Sequence, residues 1–544
     1  MNTYKKNWGP RIGFAYSYND KTVIRGGYAL VYSRAGGVGG RGGAGTGTSQ
    51  AGFTANLVLP SAQTAGVTAG PSYYLNSSNT AFGGPGFQLP APATPSAASL
   101  SIGTGNYINS SGAAQAAGGA PGYADPYLSG RAPEVNFYNF GIQRAVTKDL
   151  TLTADYAGSN AHFLSTGSNA RGYWAGQMNP TYLAALGAVR ASDGTTPILS
   201  APATAANIAI AAAAVPGLAA PYPGYALAAA KTSAASISHM LVAFPQYSGT
   251  TDTWGNVGNV SYNSLQITLN QREWKGLSYT LNYTYSKNLG DDNTFRSGFD
   301  ILAAATSNGV GYHQGRADRS YTIVAAPQNL AAYGVYKLPF GKGGFGGDHL
   351  LVRALAGGWQ FSSIFTYGSG VPLAITYAGC NSPGQGQCMP DSNPGFSGPA
   401  RINKNWGKGI TAAKLGASPS KGGLQYIDIN AFSVPKNFGT TAPGQTAITK
   451  IGDAPRTAPY HLWNPSTYRL DASLRRTFNL TPERLKFIFE VDCLNVPNKV
   501  TFGGISTAWV DPTASPTAAA ASNFGTVGSA SGNRDFQLAG RLNF

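Results

Sequence analysis

The stretch that most constrains this chain runs from Asn263 to Ser286. Its second half alternates without a fault. Leu277, Tyr279, Leu281, Tyr283 and Tyr285 fall on one side, and Ser278, Thr280, Asn282, Thr284 and Ser286 on the other. Successive side chains of a strand point to opposite faces, so this segment presents one apolar wall backed by one polar wall. Leu265-Gln266-Ile267-Thr268-Leu269-Asn270 repeats the pattern, and Arg272-Glu273-Trp274-Lys275-Gly276 reads as a short turn closed by glycine. Folding about Trp274 predicts Leu269 opposite Tyr279, Ile267 opposite Leu281 and Leu265 opposite Tyr283, with both apolar sets on one face. Ten residues at ~3.3 Å each reach ~33 Å, or roughly 25 Å of height at a ~40° tilt, which is the apolar band of an outer-membrane barrel. A soluble sandwich also alternates, but its typical strand has only ~5–6 residues.

The same reading predicts about eleven long strands, near 10–18, 22–32, 134–144, 150–158, 260–271, 277–287, 327–338, 357–367, 466–476, 485–495 and 534–544. What joins them matters more than their ends. Residues 19–21, 145–149, 272–276 and 477–484 are short links and 339–356 a moderate one, while 33–133, 159–259, 288–326, 368–465 and 496–533 are long. Short and long links alternate in a meander whose two ends face different compartments, with short periplasmic turns and long extracellular loops. The expectation is therefore an all-β fold, an antiparallel transmembrane β-barrel meander.

Composition agrees. Charged residues make up 11% of the 544, under half the ~25% of soluble domains. The 38 Lys+Arg against 22 Asp+Glu give a net charge of +16, yet no basic run gathers along one helix or strand. Scattered cations that face lipopolysaccharide phosphates or line a lumen fit this better than a nucleic-acid surface. No run of ~18 apolar residues supplies a transmembrane helix. The charge-free, alanine-rich segment 194–230 is broken by Pro197, Pro202, Pro216, Pro221 and Pro223, which predicts a loop with one short helix around 205–214. The Gly/Ala-rich 35–47 and the Pro/Gly-rich 85–95 and 379–399 read as solvated loops.

Motifs for chemistry are weak. Gly37-Val38-Gly39-Gly40-Arg41-Gly42 fits G-x-G-x-x-G but lacks the following helix and acidic residue of a dinucleotide site. Asp291-Asp292-Asn293 lacks the rest of a calcium loop. His162, His239, His313, His349 and His461 sit in no catalytic motif, and outside His349 they are expected in outer loops. No enzyme activity, cofactor or metal is expected. Cys380 and Cys388 bracket a turn-rich loop and would close a small disulfide in an oxidising compartment, whereas Cys493 reads as a small apolar side chain within a strand.

The last three strands carry charge on their polar side: Arg469, Asp471 and Arg475, then Glu490 and Asp492. Opposite charges on neighbouring strands predict cross-strand pairs, and the cost of a charge against lipid places them toward the lumen. The final strand alternates to the last residue, with Gly540, Leu542 and Phe544 on its apolar side.

That ending resembles the signal by which outer-membrane proteins are handed to the barrel assembly machinery. Further blocks resemble the C-terminal barrel of Oar-like TonB-dependent receptors: Pro10-Arg11-Ile12-Gly13-Phe14-Ala15-Tyr16, Val23-Ile24-Arg25-Gly26-Gly27-Tyr28, Phe244-Pro245-Gln246-Tyr247, Tyr262-Asn263-Ser264-Leu265-Gln266, Leu338-Pro339-Phe340-Gly341-Lys342-Gly343, Gly357-Gly358-Trp359-Gln360 and Gly452-Asp453-Ala454-Pro455-Arg456. The resemblance spans nearly the whole chain. It implies a receptor of the bacterial cell outer membrane, 22 strands around an N-terminal plug, that takes up an unidentified small nutrient when the TonB complex pulls the plug. Residues 1–544 would then be a C-terminal portion of that barrel, about half its strands, without signal peptide, plug or TonB box. First and last strands would both run downwards and meet parallel. The implied partners are outer-membrane lipid and lipopolysaccharide, the barrel assembly machinery, and the TonB complex only through a plug. Arg469, Asp471, Arg475, Glu490 and Asp492 would line the ligand path, or hold the wall by ion pairs. An alternative is surface adhesion through the long Gly/Ala-rich loops.

Overall fold

The structure is a computed structural model that describes residues 6–32, 134–165, 185–221, 236–241, 256–290, 319–341, 344–347, 349–377, 389–402, 411–434, 453–481, 485–513 and 516–544, with a few isolated positions between them. Among these, eleven strands follow one another in a single antiparallel sheet. They are β1 (Arg11–Asn19), β2 (Thr22–Tyr32), β3 (Glu134–Ala145), β4 (Leu150–Ser165), β5 (Asn256–Trp274), β6 (Leu277–Gly290), β7 (Gln328–Lys337), β8 (Trp359–Gly368), β9 (Thr467–Asn479), β10 (Lys486–Leu494) and β11 (Asp535–Asn543). A two-residue strand, Ser320–Tyr321, pairs with β6 off this path. Every strand expected from alternation is present and each pairs with its sequence neighbours, so the short and long connections lie at opposite ends. Strand β4 runs seven residues beyond the expected 158 and carries His162 on a strand rather than in a loop.

Register corrects the hairpin. Leu269 stands opposite Leu281, Ile267 opposite Tyr283 and Leu265 opposite Tyr285, two residues from the expected partners. A bulge between Gln271 and Trp274 makes Trp274 the partner of Leu277. Lys275 and Gly276 then turn the chain at φ +49° and +86°. Because the slip is two residues, every side chain keeps its face.

The two faces persist across the sheet. One apolar row reads Ile267, Tyr283, Leu330, Tyr367, Tyr468 over five strands. A polar row reads Asp155, Gln266, Thr284, Asn329 over four. The apolar face is not a packed core: Phe14 is 54% and Phe140 48% exposed, and Ile12, Tyr16, Tyr285, Leu538 and Leu542 are exposed too. Burial sits in the outer connections instead. The largest fully buried side chains include Trp509, Tyr426, Phe524, Leu186, Ile198 and Ile237, and none of these is on the eleven strands of the large sheet.

These connections differ from the solvated loops expected. Between β4 and β5, helix Ala205–Ala214 forms where predicted, capped by Thr204, and packs Ile208 and Ala211 against Leu186, Ile198 and Ile237. The buried Asn207 ties this unit together, accepting from Ser192 N–H and donating to the Pro202 carbonyl. A second unit draws on two connections at once. Leu373, Ile375, Met389, Tyr426 and Phe432 from the β8–β9 link share a core with Trp509, Phe524 and Val527 from the β10–β11 link. Met389 and Asp391, inside the Pro/Gly-rich stretch expected to be solvated, are buried.

The sheet has two free edges among the described residues: β1 pairs only with β2, and β11 only with β10. All nine residues of β1 and all but one of β11 are exposed. Eleven antiparallel strands make these two edges run in the same direction, as expected. Cys380, Cys388, His313, Gly37–Gly42 and Asp291–Asn293 lie outside the described residues.

Candidate functional site: the polar face of the sheet

Three rows of the polar face meet between β6 and β11. Thr280, Tyr333, Ile364 and Asp471 form one. Ser278, Val335, Ser362, Ser473, Asp492 and Gln537 form the next. Lys337, Gln360, Arg475, Glu490 and Ala539 form the third, toward the short-turn end. All five charges singled out in the sequence therefore share this face.

Their pairing differs from the cross-strand pattern expected. Arg469 bonds Asp471 along the same strand, Nε to Oδ2 at 2.7 Å. Asp471 Oδ1 also accepts from the backbone N–H of Asn495 at 2.7 Å, which fixes where β10 gives way to its loop. Arg475 faces Glu490 in register, but the hydrogen bond to Glu490 comes from the Ser473 hydroxyl at 3.0 Å. Residues i and i+2 lie on one face of a strand, so a long arginine reaches its own neighbour as readily as the next strand. Tyr333 and Ile364, opposite each other and exposed, add an apolar spot to this polar field.

Sequence reading missed a further ion pair of this face. Arg25 on β2 bonds Asp155 on β4 at 3.1 Å, across the strand between them. Gly141 occupies the intervening position, where a Cβ would lie 1.7 Å from Asp155 Oδ1. All three residues are visible in the sequence, but only the joint register of three strands puts them in line. At the short-turn rim, Lys337 Nζ bonds Glu273 at 2.8 Å.

The opposite face is dressed as a membrane wall. Toward the long-loop end the Tyr28 hydroxyl donates to Asn136, and those of Tyr138 and Tyr156 both donate to Asn263 Oδ1 at 3.1 and 2.6 Å. Rings with wet tips at this level are what a barrel's aromatic girdle requires. Cys493 takes its place on this face opposite Phe536. Gly540 and Leu542 pair with Phe489 and Phe487, and Phe544 projects 99% exposed.

The unit over the β8–β11 end is held by polar contacts as well as packing. Trp509 Nε1 donates to the Ile429 carbonyl at 2.9 Å and the Tyr426 hydroxyl to the Trp463 carbonyl at 2.7 Å. Burial pushes the Tyr426 phenol above its ordinary value, against the opposing pull of Arg401. In the Gly-Asp-Ala-Pro-Arg block, Asp453 accepts from Ser392 N–H and its own N–H donates to Asp391. That block is a clamp between loop segments. Among the described residues no three His, Cys, Asp or Glu side chains gather as a metal site, and no helix is long and apolar enough to cross a membrane.

Residues 1–537 match a family described as an outer membrane beta barrel domain. No curated protein matches the chain in sequence. Among solved structures, the outer membrane transporter YddB from Escherichia coli is 11% identical, with a TM-score of 0.34 over 97% of this chain and 39% of that one. The ferric-catecholate import receptor Fiu from E. coli is 8% identical, with a TM-score of 0.34 over 98% of this chain and 34% of that one. The siderophore receptor PiuA from Acinetobacter baumannii is 11% identical, with a TM-score of 0.33 over 98% and 35%. The chain thus spans under two fifths of the length of each of these structures.

Proposed function

The chain belongs to the outer membrane beta-barrel domain family and resides in the bacterial outer membrane, and on that footing we propose that it forms part of a TonB-dependent receptor that takes up a nutrient. The observation that carries this reading is the union of a continuous polar sheet face with outer connections that build cores of their own at one end of it. A wall meant only to sit in lipid has no use for folded caps over its outer mouth. A receptor uses them to recognise what it admits.

The free edges support a portion of a larger barrel. Hydrocarbon leaves unpaired backbone groups at a cost of several kcal/mol each, so a spanning sheet must close. Edges running the same way close antiparallel only through an odd number of further strands. In this reading the Oar-like blocks, the assembly signal at Gly540, Leu542 and Phe544, and a TonB complex acting through a plug belong to the complete receptor. Arg469, Asp471, Arg475, Glu490 and Asp492 brace the lumen wall beside the ligand path, and Cys380 and Cys388 form a loop disulfide. Lipopolysaccharide meets the outer girdle and the net positive charge.

Uptake tests it. Cells deleted for the complete gene are offered radiolabelled metal chelates and oligosaccharides too large for passive diffusion. Loss of uptake of one of them, restored by the gene and abolished without TonB, is expected. Unchanged uptake across the panel overturns the reading, and cell-surface binding that survives loss of TonB would favour adhesion instead.

A further inference from the structure

A groove of about 580 Å³ runs along the apolar face over β6, β7 and β8. Its ridges are Tyr279 and Leu281 on one side and Phe361 and Phe365 on the other, and its floor is Ala332 and Gly334 of the strand between. The depression exists because β7 carries Ala332 between Leu281 and Phe365, and Gly334 between Tyr279 and the small Ser363, while Tyr336 lines its short-turn end between Leu277 and Phe361. At Gly334 a Cβ would already lie 3.2 Å from both the Ser278 carbonyl and Tyr279 Cβ. The groove ends at the short-turn rim under Trp274 and Lys275, with Lys275 Nζ 5.3 Å over the indole.

We propose that this groove holds one acyl chain of an anionic glycerophospholipid from the periplasmic leaflet, with its phosphate at Lys275; the assignment rests on the chain's residence in the outer membrane and not on transport. Three observations select that occupant. The groove opens on the lipid-facing side. From Leu277 to Leu281 it runs four residues, ~13 Å along the strand, about the depth of one leaflet's share of the apolar band. Its mouth carries a tryptophan and an exposed lysine, the pair that sits at headgroup level and meets phosphate. The neighbouring carboxylate, Glu273, is taken by Lys337, which leaves Lys275 to favour an anion.

The test places the full chain in vesicles of phosphatidylethanolamine with phosphatidylglycerol bearing a photoreactive acyl chain, and maps the labelled peptides. Labelling is expected to concentrate on residues 328–337 over β3 and β4. Ala332→Leu should reduce it to the level of the rest of the wall, and Ser363→Leu serves if that variant fails to assemble. Lys275→Gln should cut the preference for phosphatidylglycerol over phosphatidylcholine about fivefold, the weight of one lysine at a lipid surface, while acyl labelling persists. Uniform labelling of the apolar face, equal labelling by both lipids, or chain-to-chain crosslinks at the groove overturns the proposal. A chain that does not float with the vesicles overturns the membrane reading itself.

Discussion

Arg25 reaches Asp155 over the top of the strand that separates them, 3.1 Å from Nη2 to Oδ2, because Gly141 leaves the space between. A glycine inside a strand weakens it unless something passes over it. Here an ion pair ties three strands beside the free edge, where β1 has a single neighbour among the described residues.

Replacing Asp155 by Ala should cost ~0.2–1 kcal/mol, the range for pairs exposed to this degree. Gly141→Ala should cost at least as much, since its Cβ displaces the carboxylate. The two losses should not add, because either change removes the same contact. Urea unfolding in lipid vesicles of both single variants and the double variant measures this, and simple additivity would refute the bridging role.

Trp509→Ala or Phe524→Ala should melt the cap without unzipping the wall. Each empties a buried aromatic site worth ~3–5 kcal/mol, in a core assembled from two outer connections. Limited proteolysis should then cut within 389–434 and 496–534 while the sheet strands stay protected.

Asp193 offers a pH test outside the membrane. The Thr196 hydroxyl and the N–H groups of Thr196 and Thr195 donate to its carboxylate and hold it at about 2 rather than 3.8. A depressed carboxyl supports its turn fully above the ordinary value and loses that support as pH falls through the lowered one. The protection of the Thr195 and Thr196 amides, relative to free-peptide exchange at the same pH, should therefore stay full down to pH 3.8 and fall toward pH 2, and Asp193→Asn should abolish that pH dependence.

Deleting Phe544 should lower assembly yield and leave stability alone. Its side chain is 99% exposed, so no packing is lost with it. A smaller heat-modifiable fraction in outer membranes, with an unchanged urea midpoint, separates a recognition signal from a structural residue.

Alternation was enough to locate all eleven strands, their order, and the face of each side chain. Those are local properties: a period of two needs only neighbours in the chain, and turn length follows from the spacing between runs. It also placed helix Ala205–Ala214, from an alanine run free of proline between Pro202 and Pro216. What the pattern could not choose was the hairpin register, because a slip of two residues returns every side chain to its own face, and the bulge at Gln271–Trp274 made that choice. The pairing of Arg25 with Asp155, and of Arg469 with Asp471 instead of a neighbouring strand, depended on which residues stand in line across the sheet. The caps were hidden for the same reason, since Tyr426 and Trp509 join one core from connections with no period to announce them. Whether a side chain meets lipid, water or protein is settled by distant partners, and only the tertiary structure supplies those.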